Sequence, residues 1–150
     1  MKYFLTFLTA IICFTLANAQ STADSVKQTI NTLFEAMKNS DADQLQSVFA
    51  NSAILQSVSV NKEGKTIIDN ESVSDFAGAI KKLSKGDADE RIAFDIVKID
   101  GPLAIVWAPY KFFYKGNFSH CGVDSFQLIR VNGSWKILYL IDTKRKKGCE

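Results

Sequence analysis

The stretch FSHCGVDSFQLIRVNGSWKILYLIDT, residues 118–143, decides the fold. Two runs rich in β-branched and aromatic residues flank Asn132-Gly133. That dipeptide readily takes the two left-handed conformations that a two-residue hairpin turn needs. Reading outward, segments 91–99, 103–115, 118–131 and 134–143 all have strand character. Asp100-Gly101-Pro102, Gly116-Asn117 and Asn132-Gly133 separate them. Three short reversals in succession predict an antiparallel meander.

Tight reversals set which residues face one another. A turn at Asn132-Gly133 pairs Arg130 with Trp135, Leu128 with Ile137 and Phe126 with Tyr139. A turn at Gly116-Asn117 pairs Phe113 with His120 and Trp107 with Phe126. A turn at Asp100-Gly101 sets Ile96 beside Ile105 and Phe94 beside Trp107. One face then collects Ile92, Phe94, Ile96, Leu103, Ile105, Trp107, Phe113, Phe126, Leu128, Trp135, Ile137, Tyr139 and Ile141. His120, Gly122, Asp124, Arg130 and Thr143 share it, and Pro109 is a candidate bulge. The opposite face is expected to carry Cys121, Ser125, Gln127, Lys136 and Asp142. Tyr110, Phe112 and Tyr114 also fall there, as a partner surface or under a covering loop.

The first half of the chain reads as helical. Asp24 is a plausible N-cap for a helix ending near Asn39, with Val26, Ile30, Leu33, Phe34 and Met37 at helical spacing. Asp41-Ala42-Asp43 opens a second, shorter helix. Residues 53–60 look extended, 61–64 turn, and 65–69 return. Ser72 or Ser74 starts a third helix bearing Val73, Phe76, Ala77, Ile80 and Leu83. Helices followed by a meander indicate an α+β domain, in which the helices cover the apolar sheet face.

Met1-Lys2, the apolar run 4–16 and Ala17-Asn18-Ala19 before Gln20 read as a removable secretory signal, with cleavage expected at Ala19-Gln20. The run is too short for a stable membrane span, and no later run is longer. Residues 20–150 are expected to form a single domain, periplasmic or secreted. The full chain has 18 basic and 16 acidic residues, formally +2, which is no footprint for nucleic acid. The basic run Lys144-Arg145-Lys146-Lys147 reads as a solvated tail or an anionic docking patch. Cys13 leaves with the signal. Cys121 and Cys149 remain, and an oxidising compartment leaves both a bridge and two free thiols open.

Trp107-x-Pro109-Tyr110, Ser119-His120-Cys121-Gly122, Phe126-x-Leu128, Gly133-x-Trp135-Lys136-Ile137 and Asp142-Thr143 together give a pattern. It resembles the nuclear transport factor 2-like superfamily, and is most similar to its SnoaL-like and putative lumazine-binding branches. The resemblance covers essentially all of residues 20–150. It implies a cone-shaped fold, a curved and mainly antiparallel sheet wrapped around three helices with a pocket at the open end. It also implies frequent homodimers. It implies no single activity, because members include isomerases, cyclases, dehydratases, binding proteins and interaction modules.

The expected ligand-binding residues are Trp107, Phe113, His120, Asp124, Phe126 and Tyr139. The aromatics would suit a small apolar or aromatic molecule, and core packing explains them equally well. His120, the lone histidine, could hold or move a proton near neutral pH or be a satisfied rim residue. Asp124, if buried among aromatics, would have its pKa raised toward the range of a general base. Tyr139 could donate a hydroxyl. His120, Asp124 and Tyr139 are therefore the catalytic candidates. Arg130 could stack on Trp135. No phosphate-binding glycine loop, Cys-x-x-Cys or Gly-x-Ser-x-Gly motif occurs. One histidine argues against a histidine-based metal centre, and no cofactor is implied. Three readings follow: an exported small-molecule-binding protein, an isomerase or dehydratase using a pocket Asp or His, and a dimeric interaction module.

Overall fold

The computed structural model describes residues 22–149. The expected signal segment, Cys13 and the cleavage site lie outside them. Elements run α1 (Thr22–Asn39), α2 (Ala42–Ser47), β1 (Phe49–Val60), β2 (Thr66–Glu71), α3 (Val73–Ile80), β3 (Ala88–Ile92), β4 (Ile96–Asp100), β5 (Leu103–Tyr114), β6 (Asn117–Val131) and β7 (Ser134–Thr143). The sheet order is β2-β1-β7-β6-β5-β3, with β4 also on β5. β1 runs parallel to β7, and every other pairing is antiparallel. The result is an α+β fold, three helices against a curved open sheet, as expected.

Local chemistry accounts for the helices. Val26, Ile30, Leu33, Phe34 and Met37 form the buried stripe of α1. The helix closes at Ser40, whose φ is 58°. Ser40 N–H donates to Met37 O and Asp41 N–H to Ala36 O, the paired bonds of a Schellman stop. Asp41 then caps α2 by accepting from Gln44 N–H at 2.9 Å, and Ser72 caps α3 by accepting from Asp75 N–H at 3.0 Å. The apolar face of α1 shares one core with Phe126, Leu128 and Ile137 of the sheet, all fully buried. The Phe34 ring meets Phe126 edge-on, with centroids 6.3 Å apart.

The hairpin at Asn132-Gly133 has the expected geometry. Asn132 and Gly133 have φ of 50° and 83°, Arg130 faces Trp135, and Leu128 faces Ile137. Beyond that point Leu138 is an extra residue, so Phe126 faces Leu140 and Tyr139 faces Gln127. This bulge turns Leu140 and Asp142 inward and Tyr139 outward. Arg130 donates from Nε to Gly133 O at 3.3 Å, closing the turn.

Two other registers differ from expectation. The β5–β6 turn is Lys115-Gly116, with φ of 51° and 78°, and Tyr114 faces Asn117. Ser119 is then an extra residue, which sets Phe112 opposite His120 and Trp107 opposite Ser125. The net offset from the expected register is one residue, and a one-residue slip inverts a whole strand. Ala104, Val106, Ala108 and Tyr110 are therefore buried, while Leu103, Ile105 and Trp107 face outward. Tyr110 and Phe112 belong to the inner face, not to an outer partner surface. The segment expected as one strand over 91–99 is β3 and β4 with an irregular join. Ile92 and Phe94 pack on the core, but Ile96 pairs with Trp107 rather than Ile105 and is exposed.

Cys121 and Cys149 are joined in a disulfide with Cα atoms 5.7 Å apart. Cys121 also exchanges two backbone hydrogen bonds with Arg145, both 2.9 Å. The basic C-terminal segment thus continues the antiparallel pairing of β7 beside β6.

Candidate functional site

A cavity of about 660 Å³ opens between the helices and the concave face of the sheet. Helix α1 contributes Leu33, Phe34 and Met37, and α3 with the turn after it contributes Phe76, Ile80 and Leu83. Leu55, Leu140, Phe112 and Tyr114 complete an apolar, largely aromatic wall. The polar residues come from the strands: Glu90, His120, Asp124 and Asp142, with Tyr110 among them. Asp69, Asn70, Glu71 and Lys144 also line it.

Strand register explains why these groups meet. Glu90, Phe112 and His120 are successive partners across β3, β5 and β6. Two inward steps along, Ala108, Asp124 and Asp142 are partners across β5, β6 and β7. Both rows point into the cavity. Gly122 faces Tyr110 between them, and the missing side chain leaves room for the phenol to reach β7. The Tyr110 hydroxyl lies 3.0 Å from both Asp142 Oδ2 and Thr143 O, its two acceptors.

Burial dominates the electrostatics. It pushes the Glu90 carboxyl up to about 8, helped by nearby Asp142 and opposed by a hydrogen bond with Asp124 and by Lys144. Asp124, 3% exposed, is raised by burial and then by the charges of Glu90 and Asp142. Two carboxyls in such contact share one proton. Among the described residues no N–H or hydroxyl group donates to the buried Asp124 Oδ2. The Tyr110 hydroxyl is raised by burial and by Asp142 and Glu90, so it stays a neutral donor. Burial, then Lys144 and Lys146, lowers His120 to about 4. His120 is consequently a neutral imidazole at physiological pH. Its Nδ1 lies 3.0 Å from Ser119 Oγ, and its ring packs on Tyr110 and Phe112 with centroids 5.8 and 4.9 Å away.

Of the residues read from sequence as a site, His120 and Asp124 line the cavity. Phe126 is wholly buried in the core beneath it. Trp107 is on the outer face, 43% exposed. Phe113 stacks against the Arg91 guanidinium, 4.1 Å from the ring centroid, and against Phe118. The Tyr139 hydroxyl donates to Gln56, and the ring is not part of the cavity lining. The last three lie off the cavity because the β5–β6 turn and the β7 bulge each shift a strand by one residue. Sequence reasoning missed Glu90, which falls just before the segment taken as a strand. It also set Tyr110 and Asp142 on the wrong face. The Lys115-Gly116 pair was the available signal, since it serves as a two-residue turn as readily as Gly116-Asn117 does.

The profile of the family described as "Putative lumazine-binding" matches residues 21–139. The chain belongs to this family. Its fold is that of the nuclear transport factor 2-like superfamily. A nuclear transport factor 2-like protein of unknown function from Shewanella baltica superposes with a TM-score of 0.61 at 16% identity, over 82% of this chain and 93% of that one. A cystatin-like-fold protein of unknown function from Nostoc punctiforme gives 0.65 at 12% identity, over 82% and 90%. A function-unknown protein from Mycobacterium tuberculosis gives 0.60 at 13% identity, over 81% and 70%. These likenesses concern fold alone. A comparison with curated proteins finds no match.

Proposed function

We propose that this member of the putative lumazine-binding family is an exported small-molecule-binding protein whose ligand occupies the cavity. The observation that carries the reading is Asp124. Its Oδ2 is buried, has no N–H donor among the described residues and borders an open space walled by aromatics. A buried carboxyl oxygen that no N–H or hydroxyl group satisfies calls for a donor from outside, and an apolar pocket with a few convergent polar groups is the usual form of a ligand site. The family's description supports a small molecule. Export is supported by the N-terminal signal pattern and by the Cys121–Cys149 bridge, which suits an oxidising compartment.

Native mass spectrometry of protein recovered from its own cells tests both parts. The expected result is a polypeptide beginning at Gln20, carrying a small molecule that denaturation releases. A chain retaining residues 1–19 overturns export. A chain that stays empty after exposure to its own cell extract overturns the binding reading.

A second reading, an enzyme of the isomerase or dehydratase type, is favoured by the raised Glu90–Asp124 pair, which suits proton transfer near neutral pH. Turnover abolished in Asp124→Asn with ligand affinity retained supports it. The homodimer expectation moves with the register to the exposed row Ile96, Leu103, Ile105 and Trp107. A monomer in sedimentation at high concentration removes it.

A further inference from the structure

The cavity holds more acid than its surroundings balance. The whole chain is formally +2, yet Asp69, Glu71, Glu90, Asp124 and Asp142 line the cavity against one ammonium, Lys144. His120 lines it as a neutral ring. Every cavity-lining side chain from α1 and α3 is apolar. The inner carboxyls are Glu90, Asp124 and Asp142. Among the described residues the hydroxyl of Tyr110 donates to Asp142. Among the described residues no ion pair reaches any of the three, since the ion pairs present are those of Asp89 with Lys38 and Arg91. Three carboxyls with one hydroxyl donor between them thus crowd a partly dehydrated space. Such an arrangement draws positive charge inward.

What supplies that charge follows from geometry. Among the described residues no acidic cluster closes tightly enough to hold a metal ion. The surrounding wall is Phe34, Phe76, Phe112 and Tyr114, aromatic faces that attract a cation carried on an organic body. We propose that the cavity selects a small organic cation, a protonated amine or amidinium on a flat or apolar body. The charged nitrogen donates to Asp124 and Asp142, and the body lies against the aromatic wall. Deprotonation of the Glu90–Asp124 pair accompanies binding, and the displaced proton passes to the solvent. This rests on the cavity being a ligand site.

Isothermal titration of the purified protein near pH 7 with three probes sharing one indole body tests it. They are tryptamine, indole-3-acetamide and indole-3-acetate, carrying positive, zero and negative charge. Tryptamine should bind about tenfold or more tighter than the amide, a difference of about 1.4 kcal/mol, and the acetate weakest. In buffers of different ionisation heat, tryptamine alone should release a proton. Asp124→Asn should shrink the tryptamine preference over the amide to about threefold or less and abolish proton release. Equal binding of all three, or a preference for the amide or acetate, overturns the cation assignment and leaves the cavity as a ligand site. Tryptamine preference that survives in Asp124→Asn places the cation elsewhere and also overturns it. No binding of any probe, with no co-purified molecule, overturns both readings. The wild-type ranking stands without the variant, so a poorly folding Asp124→Asn does not spoil the test.

Discussion

At Gly122 a single hydrogen atom keeps the cavity floor in place. A Cβ there would lie 1.6 Å from Thr143 O and 2.6 Å from the Tyr110 ring. Those are the groups through which Tyr110 anchors the end of β7. Gly122→Ala must therefore push the two strands apart, and should destabilise the protein by about 3 kcal/mol, the upper range of overpacking effects. A shift in urea midpoint at unchanged slope measures it. A wild-type midpoint would mean that the close approach is absent in solution. Phe126 and Trp107 make a paired test of the corrected register. Phe126→Ala should cost about 3–5 kcal/mol, as expected of a large, fully buried ring. Trp107→Ala should cost less than about 1 kcal/mol, as a surface change does. Comparable losses at both positions would restore the register in which both rings face inward.

Among the elements, the strands decided the site and the helices were the easier part to read. The stripe Val26, Ile30, Leu33, Phe34 and Met37 has one spacing that makes sense, and the caps at Asp41 and Ser72 follow from side-chain chemistry within three residues. Asn132-Gly133 likewise admits one turn. Tyr114-Lys115-Gly116-Asn117 admits two, and the bulge at Ser119 has no sequence mark. The inner face of β5 was therefore not legible, although that of β6 was. The C-terminal segment is tied to β6 by the disulfide, which closes a loop of sequence separation 28. By the chain-entropy relation it should contribute about 3–4 kcal/mol. Replacing Cys121 and Cys149 together by Ser should lower the thermal midpoint accordingly, and an unchanged midpoint would show that the backbone bonds to Arg145 hold the segment alone.

For the molecule as a whole, the buried titrating groups make stability depend on pH. Glu90 has a folded value of about 8 against an ordinary 4.5. Between those values the native state holds the extra proton, so stability is fullest at the acid end and is lost as pH rises toward 8. Asp124 acts in the same direction. His120 is at about 4 folded against 6.5. There the native state holds fewer protons, so stability grows as pH rises through that window. The effects oppose each other at mildly acid pH, and above about 6.5 the carboxyls act alone. Unfolding free energy should fall from about pH 6.5 to 8, by at most about 1.4 kcal/mol per unit for each proton retained. Glu90→Gln should flatten the fall. Urea titrations across that range check both, and a flat wild-type profile would contradict the shared proton.

Periodicity within one element, capping chemistry and an unambiguous turn were enough to determine the helices, the last hairpin, the α+β class and the inward direction of His120 and Asp124. Each of those depends on neighbours close along the chain. The tertiary structure alone decided that Glu90, Tyr110 and Asp142 meet Asp124, that β1 joins β7 in parallel, and that Trp107 faces outward. Those outcomes turn on single-residue offsets between strands distant in sequence. Packing across the whole sheet sets such offsets, because a strand's side chains alternate faces and one extra residue reverses every position beyond it.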